Sequence, residues 1–200
     1  MSPRFLPRLA LIVLLDLVIQ LPFLGTTTIA QIDEARISEI AREMAASGDW
    51  LVPRLNGGPY ASYPPLGFWL AALSGTILGF HEFSMRLPSV LAGAALIAVV
   101  GLTTRRLANE RAGLFAAAIL ATTPTFYLLQ SSARADVLVT LFGALAFDRF
   151  LVIAEGDRRV RQLVFFYLAI VAGFLAKGPI GLVVPGLGIV AWLALQRRWR

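Results

Sequence analysis

Pro65-Leu66-Gly67-Phe68-Trp69-Leu70-Ala71-Ala72-Leu73-Ser74-Gly75-Thr76-Ile77-Leu78-Gly79-Phe80 is the stretch on which the architecture turns. It is apolar enough to enter a bilayer, yet its apolar core over residues 66–80 is short against the roughly 20 residues (about 17–25) that a spanning helix needs. Whether it crosses fixes the side of the membrane on which every later segment lies. Arginine placement answers the question, because basic residues collect on the cytoplasmic side. If the N-terminus is cytoplasmic and 66–80 stays on the outer face, eleven basic residues lie inside and six outside, with Arg149 left within a span. If 66–80 crosses, the count becomes five inside and twelve outside. The first arrangement is favoured, so 66–80 is expected to be an interfacial or re-entrant helix. Phe68 and Trp69 suit the headgroup level.

Other apolar runs fall at about residues 5–25, 88–104, 113–130, 137–154, 163–176 and 180–196. Together they predict an all-α integral membrane protein with about six transmembrane helices and both termini in the cytoplasm. The 200 residues form a single membrane domain. Composition agrees: 58% of residues are hydrophobic and 15% charged, where soluble domains carry about a quarter charged, and mean hydropathy is +0.74. The net charge of +6 follows from where the arginines sit along the membrane and does not call for nucleic acid. The absence of cysteine excludes disulfides, zinc–thiolate sites and thiol nucleophiles. Arg4 and Arg8 before the first run, with Asp16 interrupting it and no clear small-residue cleavage site after it, read as an uncleaved signal anchor.

Residues 26–65 make the one long extracytoplasmic loop, and long loops with structure of their own are usually functional. From Asp33 to Ala45, the apolar residues Ile37, Ile40, Ala41, Met44 and Ala45 recur at helical spacing and predict an amphipathic helix. By helical angle Asp33 falls near the middle of the apolar face, so its carboxylate is expected to be partly desolvated, which would favour a base. The competing reading is that Asp33 and Glu34 merely complement the helix dipole. Ser131-Ser132-Ala133-Arg134-Ala135-Asp136 and Lys177-Gly178-Pro179 lie on the same side under the arginine-based topology. Either cation can serve an anionic headgroup or simply snorkel to the interface. His81, the single histidine, has no metal-ligand spacing around it, and Asp148-Arg149 reads as a local ion pair. A transporter is disfavoured, since no ionisable residue sits convincingly mid-bundle.

Asp33-Glu34-Ala35-Arg36-Ile37-Ser38-Glu39-Ile40-Ala41-Arg42-Glu43-Met44, followed by Ser47-Gly48-Asp49-Trp50-Leu51-Val52-Pro53, resembles the first periplasmic loop of the bacterial aminoarabinose transferases. Those enzymes modify lipid A and are related to the dolichyl-phosphate-mannose protein mannosyltransferases. Tyr60 to Leu66, Glu82 to Ser89 with its Arg-Leu-Pro core, Arg134 to Asp136 and Lys177-Gly178 match in order, so the resemblance runs over essentially the whole chain.

It implies a GT-C glycosyltransferase fold that moves a sugar from a polyprenyl-phosphate carrier to an acceptor on the extracytoplasmic face, with inversion at the anomeric carbon. It also implies Asp33 and Asp136 as the catalytic pair. Glu34, Arg36, Tyr60, Tyr63, Arg134 and Lys177 become candidates for substrate binding. The implied partners are an undecaprenyl-phosphate-linked sugar, a lipid A, glycolipid or protein acceptor, and membrane lipids; no cofactor is expected, and a requirement for a divalent metal is left open. The implied location is the bacterial inner membrane.

Two departures stand out. Ser62 and Tyr63 occupy positions where the family usually has Glu-Lys. Family members are also much longer, which makes this chain the expected N-terminal part of such an enzyme, with any further spans supplied elsewhere. The alternative is a non-catalytic membrane partner subunit, or a truncated relic, that binds polyprenyl lipid.

Overall fold

The computed structural model describes residues 4–196, and Arg197, Arg198 and Arg200 of the basic C-terminal flank lie outside them. Helix α1 (Phe5–Gln20) runs through a 3-10 turn into α2 (Ile32–Ser47), followed by a two-residue hairpin, β1 (Arg54–Leu55) and β2 (Gly58–Pro59). Then come α3 (Leu66–Leu78), α4 (Glu82–Leu107), α5 (Glu110–Thr122), α6 (Pro124–Gln130), α7 (Asp136–Ala154), α8 (Val160–Lys177) and α9 (Ile180–Leu195). The small hairpin is an addition to the all-helical expectation. Asn56 and Gly57, both at positive φ (54° and 78°), turn it, and Glu43 ties it to α2 by accepting from the N–H groups of Asn56 at 2.6 Å and Gly57 at 3.1 Å.

Among the described residues, four helices are long and apolar enough to cross a membrane: α1 with its 3-10 extension, α4, α7 and α8. A fifth span forms if α5 and α6, bent by 67° at their junction, count as one. The expected six is therefore four or five by length and composition. The run at 113–130 is broken because Thr123 precedes Pro124, which disfavours helical backbone; Thr123 is extended (φ −72°, ψ 118°) and Pro124 starts the next helix. Helix α9, at 16 residues, is shorter than the other spans.

The 13-residue α3 is only about 20 Å long at 1.5 Å per residue, against a hydrocarbon core of about 30 Å. It packs against α2. Gly67 at its start shares a cleft with Asp33, while Phe80 and His81 just past its end face Ser38, Glu39 and Arg42. Ile40, Ala41 and Met44 of α2 pack against Phe68, Ala71 and Ala72 of α3 and Met85 of α4. The indole Nε1 of Trp69 donates to the Trp50 carbonyl at 2.6 Å, and Asp49 accepts from the N–H groups of Val52 and Leu51. Those two donors hold the Asp49 carboxyl below the usual carboxylate range.

The bundle core joins Phe5 and Leu9 of α1, Leu96 and Ile97 of α4, Ala117 of α5 and Val137, Leu138 and Leu141 of α7. Lipid tails give no hydrophobic drive for helix pairing, so close contact through small residues matters more. Gly101 meets Gly113 where α4 crosses α5, and Gly173 meets Gly181 where α8 crosses α9. Asp16 does more than interrupt an apolar run. It is 5% exposed and accepts from Gln130 Nε2 at 2.8 Å, tying α1 to α6. That corrects the view that no ionisable side chain is buried within the bundle. At the far end Asp148 pairs with Arg149 as expected, and also accepts from Thr103 at 3.0 Å.

Candidate functional site

Three segments far apart in sequence meet at one end of the bundle. Asp33 and Arg36 come from the first turn of α2, Arg134 from the turn before α7, Asp136 from the first residue of α7 and Lys177 from the last residue of α8. A carboxylate at a helix N-terminus and an ammonium at a helix C-terminus each complement the local helix dipole, so α7 and α8 favour Asp136 and Lys177 where they stand. Gly178 follows in a conformation (φ 70°, ψ −144°) open only to glycine, which reverses the chain directly after Lys177. Its Cα faces Pro64.

The charged groups alternate in sign. Arg36 Nη1 lies 3.0 Å from Asp33 Oδ1, Arg134 Nη2 lies 3.4 Å from Asp33 Oδ2, and Arg134 Nε lies 3.2 Å from Asp136 Oδ2. Lys177 Nζ contacts the other oxygen of Asp136. Asp33, Arg36, Tyr63, Arg134, Asp136 and Lys177 line a single cleft of about 480 Å³, counting its open mouth. Each of these cations is paired with a carboxylate across the cleft. Three cations against two carboxylates leave one excess positive charge, which suits an anionic ligand able to displace these pairings.

The two carboxylates differ. Asp33 has 47% of its side chain exposed and Asp136 29%, and only Asp136 has an ammonium partner in addition to Arg134. Asp33 is thus not turned into the apolar face as its helical angle suggested. That flank of the first turn is open, while Arg86 and Ala133 cover the other. Asp33 is the more open of the two, and Asp136 pairs with both Arg134 and Lys177.

Two candidates stand outside the cleft lining. Glu34 is 3% exposed, with Oε1 accepting from Arg86 Nε at 2.7 Å and from the Ala133 N–H at 2.9 Å. Both its oxygens are taken within the protein, which corrects the expectation that it meets substrate. Tyr60 packs edge-on against Phe68 at 6.0 Å and lies under the Arg36 guanidinium at 5.9 Å, so it touches the site through Arg36. Tyr63, by contrast, lines the cleft and is 41% exposed.

Sequence reasoning missed Arg86, Ser89 and Gly67. Arg86 had a usable signal, as no other charged residue follows it in α4 until Arg105, and an isolated arginine in an apolar helix implies a buried partner. Gly67 and Ser89 carry no such mark. Among the described residues no three His, Cys, Asp or Glu side chains come together to hold a metal.

Spanning helices, with α2 and the short apolar α3 packed together at the end that carries the charged cleft, make this an all-α integral membrane protein. The chain belongs to the dolichyl-phosphate-mannose-protein mannosyltransferase family, whose profile matches residues 62–200. It is 34% identical over 198 residues to undecaprenyl phosphate-alpha-4-amino-4-deoxy-L-arabinose arabinosyl transferase 2 of Sodalis glossinidius, which covers 97% of this chain and 36% of that protein. The corresponding transferase of Edwardsiella ictaluri is 33% identical over 174 residues, 85% of this chain and 32% of the relative. Among solved structures, ArnT from Cupriavidus metallidurans bound to undecaprenyl phosphate superposes with a TM-score of 0.87 at 28% identity, over 95% of this chain and 36% of that one. The archaeal oligosaccharyltransferase AglB from Archaeoglobus fulgidus shares the fold, with a TM-score of 0.66 at 16% identity over 88% of this chain and 24% of that one. These similarities bear out the GT-C resemblance drawn from the loop motif. The chain spans about a third of the length of the relatives it matches.

Proposed function

We propose that this chain is the N-terminal part of a membrane glycosyltransferase that takes a sugar from undecaprenyl phosphate and passes it to a lipid or protein acceptor on the extracytoplasmic face of a bacterial inner membrane. The observation that carries the reading is the convergence of Asp33, Arg36, Arg134, Asp136 and Lys177, drawn from three separate segments, on one cleft. Relatives at 33–34% identity are named as 4-amino-4-deoxy-L-arabinose arabinosyl transferases, which makes a pentosyl donor the first to test.

On this reading an acceptor hydroxyl attacks the anomeric carbon from the face opposite the phosphate. The new C–O bond forms as the bond to phosphate breaks, and undecaprenyl phosphate leaves with the electron pair. Asp33, the more exposed carboxylate, orients the hydroxyl and takes its proton, a role worth about 10²–10⁴-fold in rate. Arg36, Arg134 and Lys177 meet the negative charge that builds on the departing phosphate, and Asp136 holds two of these cations in place. Tyr63 adds a hydroxyl that can hydrogen-bond phosphate. The N-terminus lies in the cytoplasm, and 66–80 rests along the outer leaflet.

The test uses membranes carrying the full-length gene product and a panel of undecaprenyl-phosphate sugars. Asp33→Asn is expected to lower transfer by about 10²-fold or more while leaving the amount of folded protein unchanged. Wild-type transfer by that variant removes the role given to Asp33. A second reading, a lipid-binding subunit without transfer activity, is favoured by Tyr63 standing in the cleft where the family usually has a lysine. It predicts retention of undecaprenyl phosphate with no turnover of any donor.

A further inference from the structure

Glu34 and Arg86 form a buried node that touches both halves of the Asp33–Arg134 pair from one residue away. Both side chains are 4% exposed. Glu34 Oε1 accepts from Arg86 Nε at 2.7 Å and from the Ala133 N–H at 2.9 Å, while Oε2 accepts from Arg86 Nη2 at 3.0 Å. Arg86 Nη1 donates to the carbonyls of Leu24 at 2.6 Å and Thr27 at 2.7 Å, and to Thr27 Oγ1 at 3.0 Å. One turn further along α4, Ser89 Oγ donates to the Arg134 carbonyl at 3.0 Å. The first two turns of α4 thus hold the backbone next to Asp33, through Glu34, and the backbone on both sides of the 133–134 peptide.

We infer that Glu34 and Arg86, assisted by Ser89, are positioning residues that set the orientation of Asp33 against Arg134. The inference rests on the glycosyltransferase reading for the reaction it tunes, and on geometry alone for the positioning itself. A guanidinium–carboxylate fork fixes direction as well as distance, and here one carboxylate oxygen is shared between α4 and the turn that carries Arg134. A displacement of about 1 Å at a reacting group can cost about 10²-fold in rate. Shortening Glu34 by one methylene produces a displacement of that order, because the retracted carboxylate cannot reach Arg86 and the Ala133 N–H together.

The experiment compares Glu34→Asp, Ser89→Ala and the control Glu39→Asp, which alters an exposed pair with Arg42, in the full-length gene product. Turnover is measured per folded molecule, so that a merely structural contribution drops out. Glu34→Asp is expected to lose about 10²-fold with the acceptor KM little changed, Ser89→Ala to lose less, and Glu39→Asp to match the wild type. Ser89→Ala keeps the idea testable if Glu34→Asp does not fold.

A second arm needs no activity. These 200 residues contain no cysteine, so D33C/R134C, with any cysteine of the remaining chain replaced, can be bridged by a short bis-methanethiosulfonate, each thiolate displacing a sulfinate to form a disulfide. Bridging is expected to slow several-fold when Glu34→Asp or Ser89→Ala is added, and to be indifferent to Glu39→Asp. Unchanged turnover per folded molecule together with unchanged bridging overturns the inference. A wild-type protein that transfers no sugar, with bridging still sensitive to Glu34, overturns the reaction assigned above and leaves the positioning role standing.

Discussion

Asp33 and Glu34 are neighbours in the first turn of α2 yet meet different surroundings, and their substitutions should separate accordingly. Asp33 is 47% exposed between two guanidiniums, and exposed pairs contribute below about 1 kcal/mol. Asp33→Ala should therefore lower stability by less than about 1 kcal/mol. Glu34→Ala strands Arg86 with only carbonyl and hydroxyl partners in a buried site, where breaking an ion pair costs about 3–5 kcal/mol. Thermal unfolding in detergent checks both, and equal losses for the two variants would contradict the burial described here. The sequence could not tell these two residues apart. Both sit within reach of the stripe formed by Ile37, Ile40, Ala41 and Met44, and the angle favours Asp33. The outcome is decided by which flank is covered, and the covering groups, Arg86 and Ala133, lie 52 and 99 residues away. Local periodicity holds no information about them. That Arg134, Asp136 and Lys177 come together was legible because they flank apolar runs on the side to which the arginine count assigns all three.

At the scale of elements, length and breakers decide what a helix does. Helix α3 ends at Gly79 (φ 91°) and α2 at Gly48 (φ 71°), so neither continues into a span, and the two pack flank to flank instead. The short apolar run at 66–80 was readable from length. The break between α5 and α6 was readable from Thr123-Pro124 but was passed over, because the hydrophobic run continues across it. Close crossings were not readable, since a glycine in an apolar run looks the same whether or not a neighbour presses on it. Gly181 is the sharpest case: a Cβ there would lie 2.2 Å from the Gly173 carbonyl group. Gly181→Ala must push α9 off α8, and overpacking of this kind costs about 1–3 kcal/mol. Gly186, where a Cβ meets nothing within 4 Å, should accept alanine with no loss. Detergent stability of the two variants checks the pair, and an equally stable Gly181→Ala would show that the crossing is looser than described.

At the scale of the whole molecule, the helix directions group segments at each end of the bundle as the arginine count in the sequence expects. Phe5 of α1 lies under Arg105 at the end of α4, and Arg106 lies 3.9 Å from Glu155 just past α7, so these groups share the end of the bundle far from the cleft. Leu24 after α1, Arg86 at the start of α4 and Asp136 at the start of α7 share the cleft end. That arrangement requires α2 and α3 to stay at the cleft end, which is the condition under which eleven of the basic residues fall on one side and six on the other. Moving a charged loop to the wrong side is opposed by the same bias that sets orientation in the first place. Single cysteines at Leu51, 83% exposed at the cleft end, and at Arg158, exposed in the turn between α7 and α8 at the far end, should therefore react from opposite sides of the membrane. An impermeant maleimide added to spheroplasts is expected to label position 51 and to spare position 158 until the membrane is opened. Labelling of both from outside would mean that α3 crosses after all. Since α3 lies along α2 beside Asp33, that result would be incompatible with the packing of Phe68, Ala71 and Ala72 against Ile40, Ala41 and Met44, and with it the cleft in which Asp33, Arg134 and Lys177 meet.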